Sequence, residues 1–259
     1  MLLKGKSVFI TGGTGGIGAP LVELLREAGA RVRVYERRTD GDLIDNLVPL
    51  CQELAQNTPD ILINMAGVNE FNRAEDQDYE SINLLNLLVP MRICQAVLPG
   101  MKRRGSGQIV NVGSMTGLIP LPHFSGYASA KAGLKAFSDA LRRELGGSGI
   151  AVTMVLPRAV RTPMNSGACA EINARTHVNY DDPEVVAARI FKAIRRRERE
   201  VRFGWPERIF AFLNANLPAL IDLGLRKNSR IGEEILTTNA PEKGKDYEQK
   251  NIPVPGTAS

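Results

Sequence analysis

The chain has 259 residues, of which 43% are hydrophobic and 24% charged; this excludes a disordered or fibrous protein and leaves one large α/β domain or two small ones. The formal charge of +5 is mild for this size, and the densest basic run, Arg195-Arg196-Arg197, is followed at once by Glu198 and Glu200. That pattern suits a solvated helix face rather than a nucleic-acid interface, and supports only a weak preference for anionic partners such as cofactor phosphates or an acidic carrier protein.

Short β-branched apolar runs at residues 7–10, 31–35, 61–64, 108–112 and 151–156 predict buried strands, with helical periodicity over 17–28, 45–56, 78–98 and 124–145 between them. A further helix is expected over 183–197 and a last strand over 200–203. Strand and helix alternating in this way imply parallel strands joined by right-handed crossovers. The expected fold is therefore α/β, a Rossmann-type doubly wound parallel sheet with helices on both faces. One domain is expected over residues 1–236, with 206–236 as a C-terminal helical extension. In that extension Phe210, Leu213, Leu217, Leu220 and Ile221 recur at helical spacing, predicting two short helices over 209–216 and 218–226 on either side of Pro218. This pair fits a cover over a pocket, a packing surface for a subunit or the core, or contact with a membrane surface; packing is the expectation. Residues 237–259 are rich in Lys, Glu, Pro, Gly and Asn and are expected to be a disordered tail.

The three cysteines, Cys51, Cys94 and Cys169, are far apart and odd in number, which favours a reducing compartment. The apolar stretch at the N-terminus is too short for a signal peptide or a spanning helix, so a cytoplasmic protein is expected. The only two histidines, His123 and His177, have no partner at metal-ligand spacing, so no metal site is expected. His123 reads as a loop residue more readily than as part of a pocket.

Directly after the first strand comes Thr11-Gly12-Gly13-Thr14-Gly15-Gly16-Ile17-Gly18, and then helix. Glycines let the backbone turn tightly and approach a pyrophosphate, while the N-terminus of the next helix offers free N–H groups and the positive end of its dipole. The position between first strand and first helix makes Thr11, Gly12, Gly16, Ile17 and Gly18 candidate cofactor contacts. About 20 residues past this loop, where such folds select the adenine-side ribose, stand Glu36 and Arg37. Glu36 would bond a ribose hydroxyl and repel a 2′-phosphate; Arg37 would do the opposite; both also fit ordinary exposed charges. The balance leans to NAD and leaves NADP open.

Tyr127-Ala128-Ser129-Ala130-Lys131 opens a helical run, so Tyr127 and Lys131 share one face, a turn apart. A phenol is a poor base at neutral pH, but a neighbouring ammonium favours the phenolate and moves its pKa toward the working range. Ser114, just past the strand over 108–112, belongs at the crevice that parallel strands form at their C-terminal ends. Taken singly, Ser114 also fits a turn cap and Tyr127 a half-buried aromatic.

With these pieces in order, the chain resembles the short-chain dehydrogenase/reductase family over about residues 5–205. The matching motifs are TGxxxGxG at Thr11–Gly18, NxAG at Asn64-Met65-Ala66-Gly67, Ser114, YxxxK at Tyr127–Lys131, and Asn86 within Asn86-Leu87-Leu88-Val89-Pro90. The resemblance implies an NAD(P)-dependent enzyme interconverting a carbonyl and a secondary alcohol, with Tyr127 as general acid/base. Lys131 would hold the nicotinamide ribose and lower the tyrosine pKa, and Ser114 would bond the substrate oxygen. Asn86, preferred over Asn83 one turn away, would anchor a water relaying protons to Lys131. Asn64, Ala66 and Gly67 would lie beside the adenine-side ribose, and Pro157, Val160 and Thr162 beside the nicotinamide. The family also implies a homodimer or homotetramer.

Two departures stand out. Arg158 follows Pro157 where the family has glycine, and would narrow the cofactor channel or offer a charge. The stretch between Arg37 and Ile61 has room for little more than one helix, so the family's helix after the second strand is missing. Its next strand survives at most as Gly41-Asp42-Leu43, which makes Asp42 a candidate adenine contact. The apolar run Met115–Phe124 suits a hydrophobic substrate such as a 3-oxoacyl chain or a steroid-like ring, and residues 164–180 suit a mobile lid. The rival reading is a non-catalytic nucleotide sensor on the same fold.

Overall fold

Six short runs, most of them dominated by Val, Ile and Leu, pair into one parallel sheet: β1 (Ser7–Thr11), β2 (Arg31–Tyr35), β3 (Ile61–Asn64), β4 (Gly107–Val112), β5 (Ile150–Leu156) and β6 (Glu200–Arg202). The computed structural model describes residues 3–238. Strand order is β2-β1-β3-β4-β5-β6, so the chain reverses its direction of growth between β1 and β3. That reversal opens a crevice at the C-terminal ends of the strands, where ligands of such sheets bind. The register sets Thr11, Asn64 and Asn111 side by side at this rim.

The helices are α1 (Gly18–Glu27), α2 (Arg37–Asp40), α3 (Leu47–Gln56), α4 (Tyr79–Asn83), α5 (Val89–Arg104), α6 (Ser125–Glu144), α7 (Ala168–Arg175), α8 (Pro183–Arg196), α9 (Trp205–Asn216) and α10 (Pro218–Thr238). Side chains alternate across the strands. One face of the sheet, with Val8, Ile10, Ile63 and Val110, packs on Leu21 and Leu25 of α1 and Ile190 of α8. The other, with Phe9, Leu62 and Ile109, packs on Leu50 of α3, Ile93 and Val97 of α5, and Leu141 of α6. The helical run Tyr79–Arg104 is long and apolar enough to cross a membrane by composition, but its buried side (Val89, Ile93, Cys94, Val97 and Met101) belongs to this core.

Several boundaries differ from expectation for local reasons. The run through α4 and α5 passes Pro99 and stops only at Gly105, whose left-handed φ of 64° closes it. Gly41-Asp42-Leu43 is not a strand: the Asp42 carboxylate accepts the Ile44 N–H at 2.9 Å and the Tyr35 hydroxyl donates to the Asp40 carbonyl, making a capped turn. The single-turn α2 stands in the space read as lacking a helix. Residues 164–180, read as a lid, carry α7, whose Cys169 and Ile172 are buried against Ile231 and Ile235 of α10. These same contacts carry α10 to Thr238, beyond the basic and polar residues at which a helix over 218–226 was expected to end. Thr237 and Thr238 are therefore helical, and the rest of the expected tail, 239–259, lies outside the described residues.

A buried polar seam crosses the sheet into α6. The Asn64 amide donates to Asn111 Oδ1 at 2.9 Å, the Asn111 amide donates to Ser138 Oγ at 2.9 Å, and Ser138 donates to the Leu134 carbonyl at 2.7 Å. The Asn64 side chain is thus turned into the core, so any contact it makes with a cofactor comes from its backbone. Replacing Asn111 by Leu strands a donor on Asn64 and removes the donor to Ser138. Urea unfolding should find the variant about 2–3 kcal/mol less stable; a change under about 0.5 kcal/mol would mean the seam is not what holds α6 in place.

Candidate active site

β1 delivers the chain to the rim at Thr11, whose Oγ1 accepts the N–H groups of Met65 and Ala66, each at 3.2 Å. At Gly12, φ is +73° and an added Cβ would stand 2.7 Å from the Ala66 nitrogen, so only glycine fits. At Gly16 an added Cβ would collide with the Thr162 side chain, and at Gly18 with the Gly12 carbonyl. The glycine loop is therefore pressed between the Asn64–Gly67 segment and Thr162. The N–H groups of Gly16 and Ile17, entering α1, meet no acceptor among the described residues. Free donors at a helix N-terminus beside a loop without side chains fit a dinucleotide pyrophosphate.

At the end of β2 the ribose candidates sort themselves. The Glu36 N–H donates to Asp40 Oδ2 at 2.7 Å, while the Glu36 carboxylate meets no partner among the described residues. The Arg37 guanidinium is in an ion pair with Asp42 at 3.1 Å. Asp42 is engaged by Arg37 and by the Ile44 N–H, which supports this turn.

Ser114 follows β4 and caps the turn Met115–Gly117: its Oγ accepts the Thr116 N–H at 3.1 Å and lies 3.1 Å from Thr116 Oγ1. Capping and facing the crevice are compatible, because the Tyr127 phenol also interacts with the Ser114 hydroxyl. Tyr127 and Lys131 lie on the first turns of α6. Lys131 is 4% exposed, donates to the Val112 carbonyl at 3.2 Å, and has its ammonium 5.5 Å from the centre of the Tyr127 ring. Gly117 lets the turn after Ser114 rest directly on the Lys131 backbone, where an added Cβ would stand 2.8 Å from the Lys131 carbonyl carbon.

Burial dominates the electrostatics of this cluster. It pushes the Tyr127 phenol up to about 12, with the Ser114 hydroxyl pulling the other way and the Cys169 thiol adding to the rise. It also pushes Lys131 down to about 8. The expectation that the ammonium draws the phenol toward neutrality is thus reversed: desolvation, which disfavours both charged forms, outweighs their mutual attraction.

Asn86 sits in a π-helical turn, Leu84–Leu88, between α4 and α5. Its amide donates to the carbonyls of Val68 and Ile82, both at 2.9 Å, and its Oδ1 is buried without a partner. That oxygen faces Gly67, where an added Cβ would clash with it and stand 3.4 Å from Lys131 Nζ. Asn83 instead donates to the Tyr79 carbonyl, away from the site. An orphan buried acceptor close to an ammonium is where a water would bridge.

These groups open onto a cavity of about 430 Å³ lined by Ser114, Tyr127 and Lys131, by Ile17, Gly67, Pro157, Val160 and Thr162 on the cofactor side, and by Met115, Ile119, Leu121, Phe124 and Met164. Sequence reading missed much of the rest. Asn69, with a buried and unpartnered Oδ1, lines the wall, and its amide lies 3.9 Å from the Cys169 sulfur. Pro206, Glu207 and Phe210 of α9 and Leu225 of α10 also line the cavity, so the C-terminal pair covers the pocket as well as packing on the core. Arg158 does not present a free charge: it grips Asp181 at 3.0 and 2.7 Å and Glu207 at 3.2 Å, tying α9 to the end of β5. His123 is outside the cavity lining; its Nε2 lies 3.1 Å from the Ser229 carbonyl and its ring meets Phe71 edge-on, fastening α10.

Fold and site define an NAD(P)-dependent oxidoreductase, and known proteins agree. A family model described as short chain dehydrogenase matches residues 39–173. The 3-oxoacyl-(acyl-carrier-protein) reductase FabG of Vibrio harveyi is 31% identical over 224 residues, covering 74% of this chain and 91% of that protein. D-xylose 1-dehydrogenase of Caulobacter vibrioides is 34% identical over 186 residues, covering 62% and 74%. Among solved structures, a short-chain dehydrogenase from Streptomyces avermitilis superposes with a TM-score of 0.70 at 26% identity, covering 89% of this chain and 99% of that one. One from Burkholderia cenocepacia, in complex with NADP, superposes at 0.74 and 22% identity, covering 87% and 99%. The chain belongs to the short-chain dehydrogenase/reductase family.

Burial of Lys131 has a measurable signature. With its pKa lowered from 10.5 to about 8, the unfolded chain binds more protons than the folded one between those values, so stability rises with pH through that window. The stability of the wild type minus that of Lys131→Met should grow by on the order of 3 kcal/mol between pH 7 and 10.5 in urea unfolding. A difference independent of pH would show that the ammonium is not desolvated.

Proposed function

We propose that this enzyme reduces a hydrophobic carbonyl compound, with Tyr127 as proton donor, Ser114 bonding the carbonyl oxygen, and NADH preferred over NADPH. The observation that carries the reading is the convergence of the Ser114 hydroxyl, the Tyr127 phenol and the Lys131 ammonium on one largely apolar cavity. Walls such as Met115, Ile119, Leu121 and Phe124 favour an acyl chain, of the kind named for the FabG relative, over a sugar, of the kind named for the xylose dehydrogenase.

The nicotinamide supplies the hydride when bound. The residues of this chain handle the proton and the oxygen. A phenol pushed up to about 12 keeps its proton at neutral pH, so Tyr127 can serve as the acid of the proposed reduction. Ser114, fixed by its bonds to Thr116, offers an oriented hydroxyl to the substrate oxygen as negative charge develops. Lys131, still largely cationic below pH 8, stabilises the phenolate left after transfer. The orphan oxygen of Asn86 gives a water on the far side of Lys131 an anchor for returning the proton.

Tyr127→Phe should lower kcat/KM for NADH-dependent reduction of hydrophobic ketones by about 10²–10⁴-fold, with the cofactor Kd changed by less than about threefold. Unchanged turnover would remove Tyr127 from the chemistry. A wild type that binds cofactor and reduces nothing across a broad ketone panel would favour the sensor instead. The NAD preference rests on the unpartnered Glu36 carboxylate and on Arg37 being engaged by Asp42. Glu36→Ser should bring NADPH about tenfold closer to NADH in kcat/KM, the effect of removing one carboxylate from a phosphate; no shift would place cofactor selection elsewhere.

A further inference from the structure

The C-terminal pair presents an apolar surface that none of the described residues covers. Trp205, Ile209 and Phe212 of α9, spaced i, i+4 and i+7, are 69%, 51% and 66% exposed, and Leu217, Leu220 and Leu223 continue the stripe at 55% each. Soluble domains seldom leave so many large apolar side chains together in water unless the patch meets something. Arg208, Arg226, Lys227 and Arg230 stand among these residues, and none of them is in an ion pair among the described residues. Arg208 lies 5.0 Å over the Trp205 ring. Acidic groups between positions 205 and 230 are only Glu207, held by Arg158, and Asp222.

We propose that this face of α9 and α10 is a membrane-docking surface that seats the cavity mouth on a bilayer bearing anionic headgroups. An apolar stripe with an aromatic residue and a cationic fringe matches the acyl boundary and headgroup charge of such an interface. A second copy of the chain fits less well, because a two-fold contact through this face would bring unpaired cations together with only Asp222 to offset them. An acidic protein would answer the charge but not six large apolar side chains. The patch is also continuous with the cavity: Phe210 is half exposed and lines it, beside Pro206 and Leu225. A hydrophobic carbonyl compound dissolved in the bilayer would enter from this side without crossing water. That last step rests on the reading of the cavity given above; the docking itself does not.

The test is flotation of the full chain with vesicles of phosphatidylcholine alone or with about 30% phosphatidylserine, a composition that gives a negative surface. Partitioning should be at least about tenfold stronger on the anionic vesicles and weaken in high salt. Phe212→Glu with Leu220→Glu, and separately Arg226→Glu with Lys227→Glu, should each reduce it about tenfold, while reduction of a water-soluble short-chain ketone stays at the wild-type rate. Flotation without turnover on any ketone would sustain the docking surface and sink the reductase reading. Failure to float on either vesicle would overturn the proposal. So would a dimer by analytical ultracentrifugation that dissociates in the Phe212→Glu, Leu220→Glu variant, or saturable binding of an acidic carrier protein lost in the same variant.

Discussion

The rest of the site depends on how α6 is held against the sheet, and the Asn64–Asn111–Ser138 seam does the holding. Hydrophobic packing fixes the distance between a helix and a sheet but is nearly indifferent to small slides along the helix axis. Hydrogen bonds between fixed donors and acceptors in a dry layer are not, because a slide of an ångström leaves an amide unpaired. Tyr127 and Lys131 lie on α6 at the rim, while Ser114 and the Val112 carbonyl belong to the end of β4 and the turn after it. Any displacement of α6 relative to β4 would therefore pull the hydroxyl, the phenol and the ammonium out of mutual reach. The seam joins those two elements through side chains that are themselves buried.

The seam itself leaves Asn64 Oδ1 without a partner, and the incompleteness continues beside the reacting groups. Asn86 Oδ1 and Asn69 Oδ1 are buried without partners, and both lie beside the reacting groups. Folded proteins rarely tolerate such acceptors unless a water or a ligand meets them. The π-helical turn at Leu84–Leu88 is the backbone device that aims Asn86 at Lys131, since a regular helix has no spare residue with which to rotate that side chain inward. Burial of the ammonium follows from the same crowding, with Gly117 and Gly67 letting backbone close around it.

Much of this was legible in the sequence because the signals are local. A glycine-rich loop between strand and helix, and a tyrosine and lysine at i and i+4, state their geometry in their spacing. All six strands and the large helices were legible in the same way. What escaped depends on residues distant in sequence. The Asn111–Ser138 contact spans 27 positions, and neither residue belongs to a recognisable motif. The direction of the Tyr127 shift escaped because spacing reports that an ammonium is near but not how much water has been removed. α7 and the long α10 escaped together, since each is amphipathic only with respect to the other: Cys169 and Ile172 become core when Ile231 and Ile235 arrive.

Arg158 shows how one departure from the family pattern reorganises a whole end of the molecule. Glycine at this place would leave the end of β5 bare; the guanidinium instead gathers Asp181 and Glu207 around it. Both carboxylates are largely shielded from solvent, so removal of the arginine would not be neutral, because two acids would stay buried without their shared partner. Through Glu207 the cluster fixes the first turn of α9, and Asn214 repeats the attachment about two turns later by donating to the Leu118 carbonyl at 3.1 Å. With its inner side pinned at two points, one by a charge cluster and one by a hydrogen bond, α9 cannot roll to bury Trp205, Ile209 and Phe212. The exposed apolar stripe is thus a consequence of the same contacts that close the cavity, not a sign that the C-terminal helices are loosely attached.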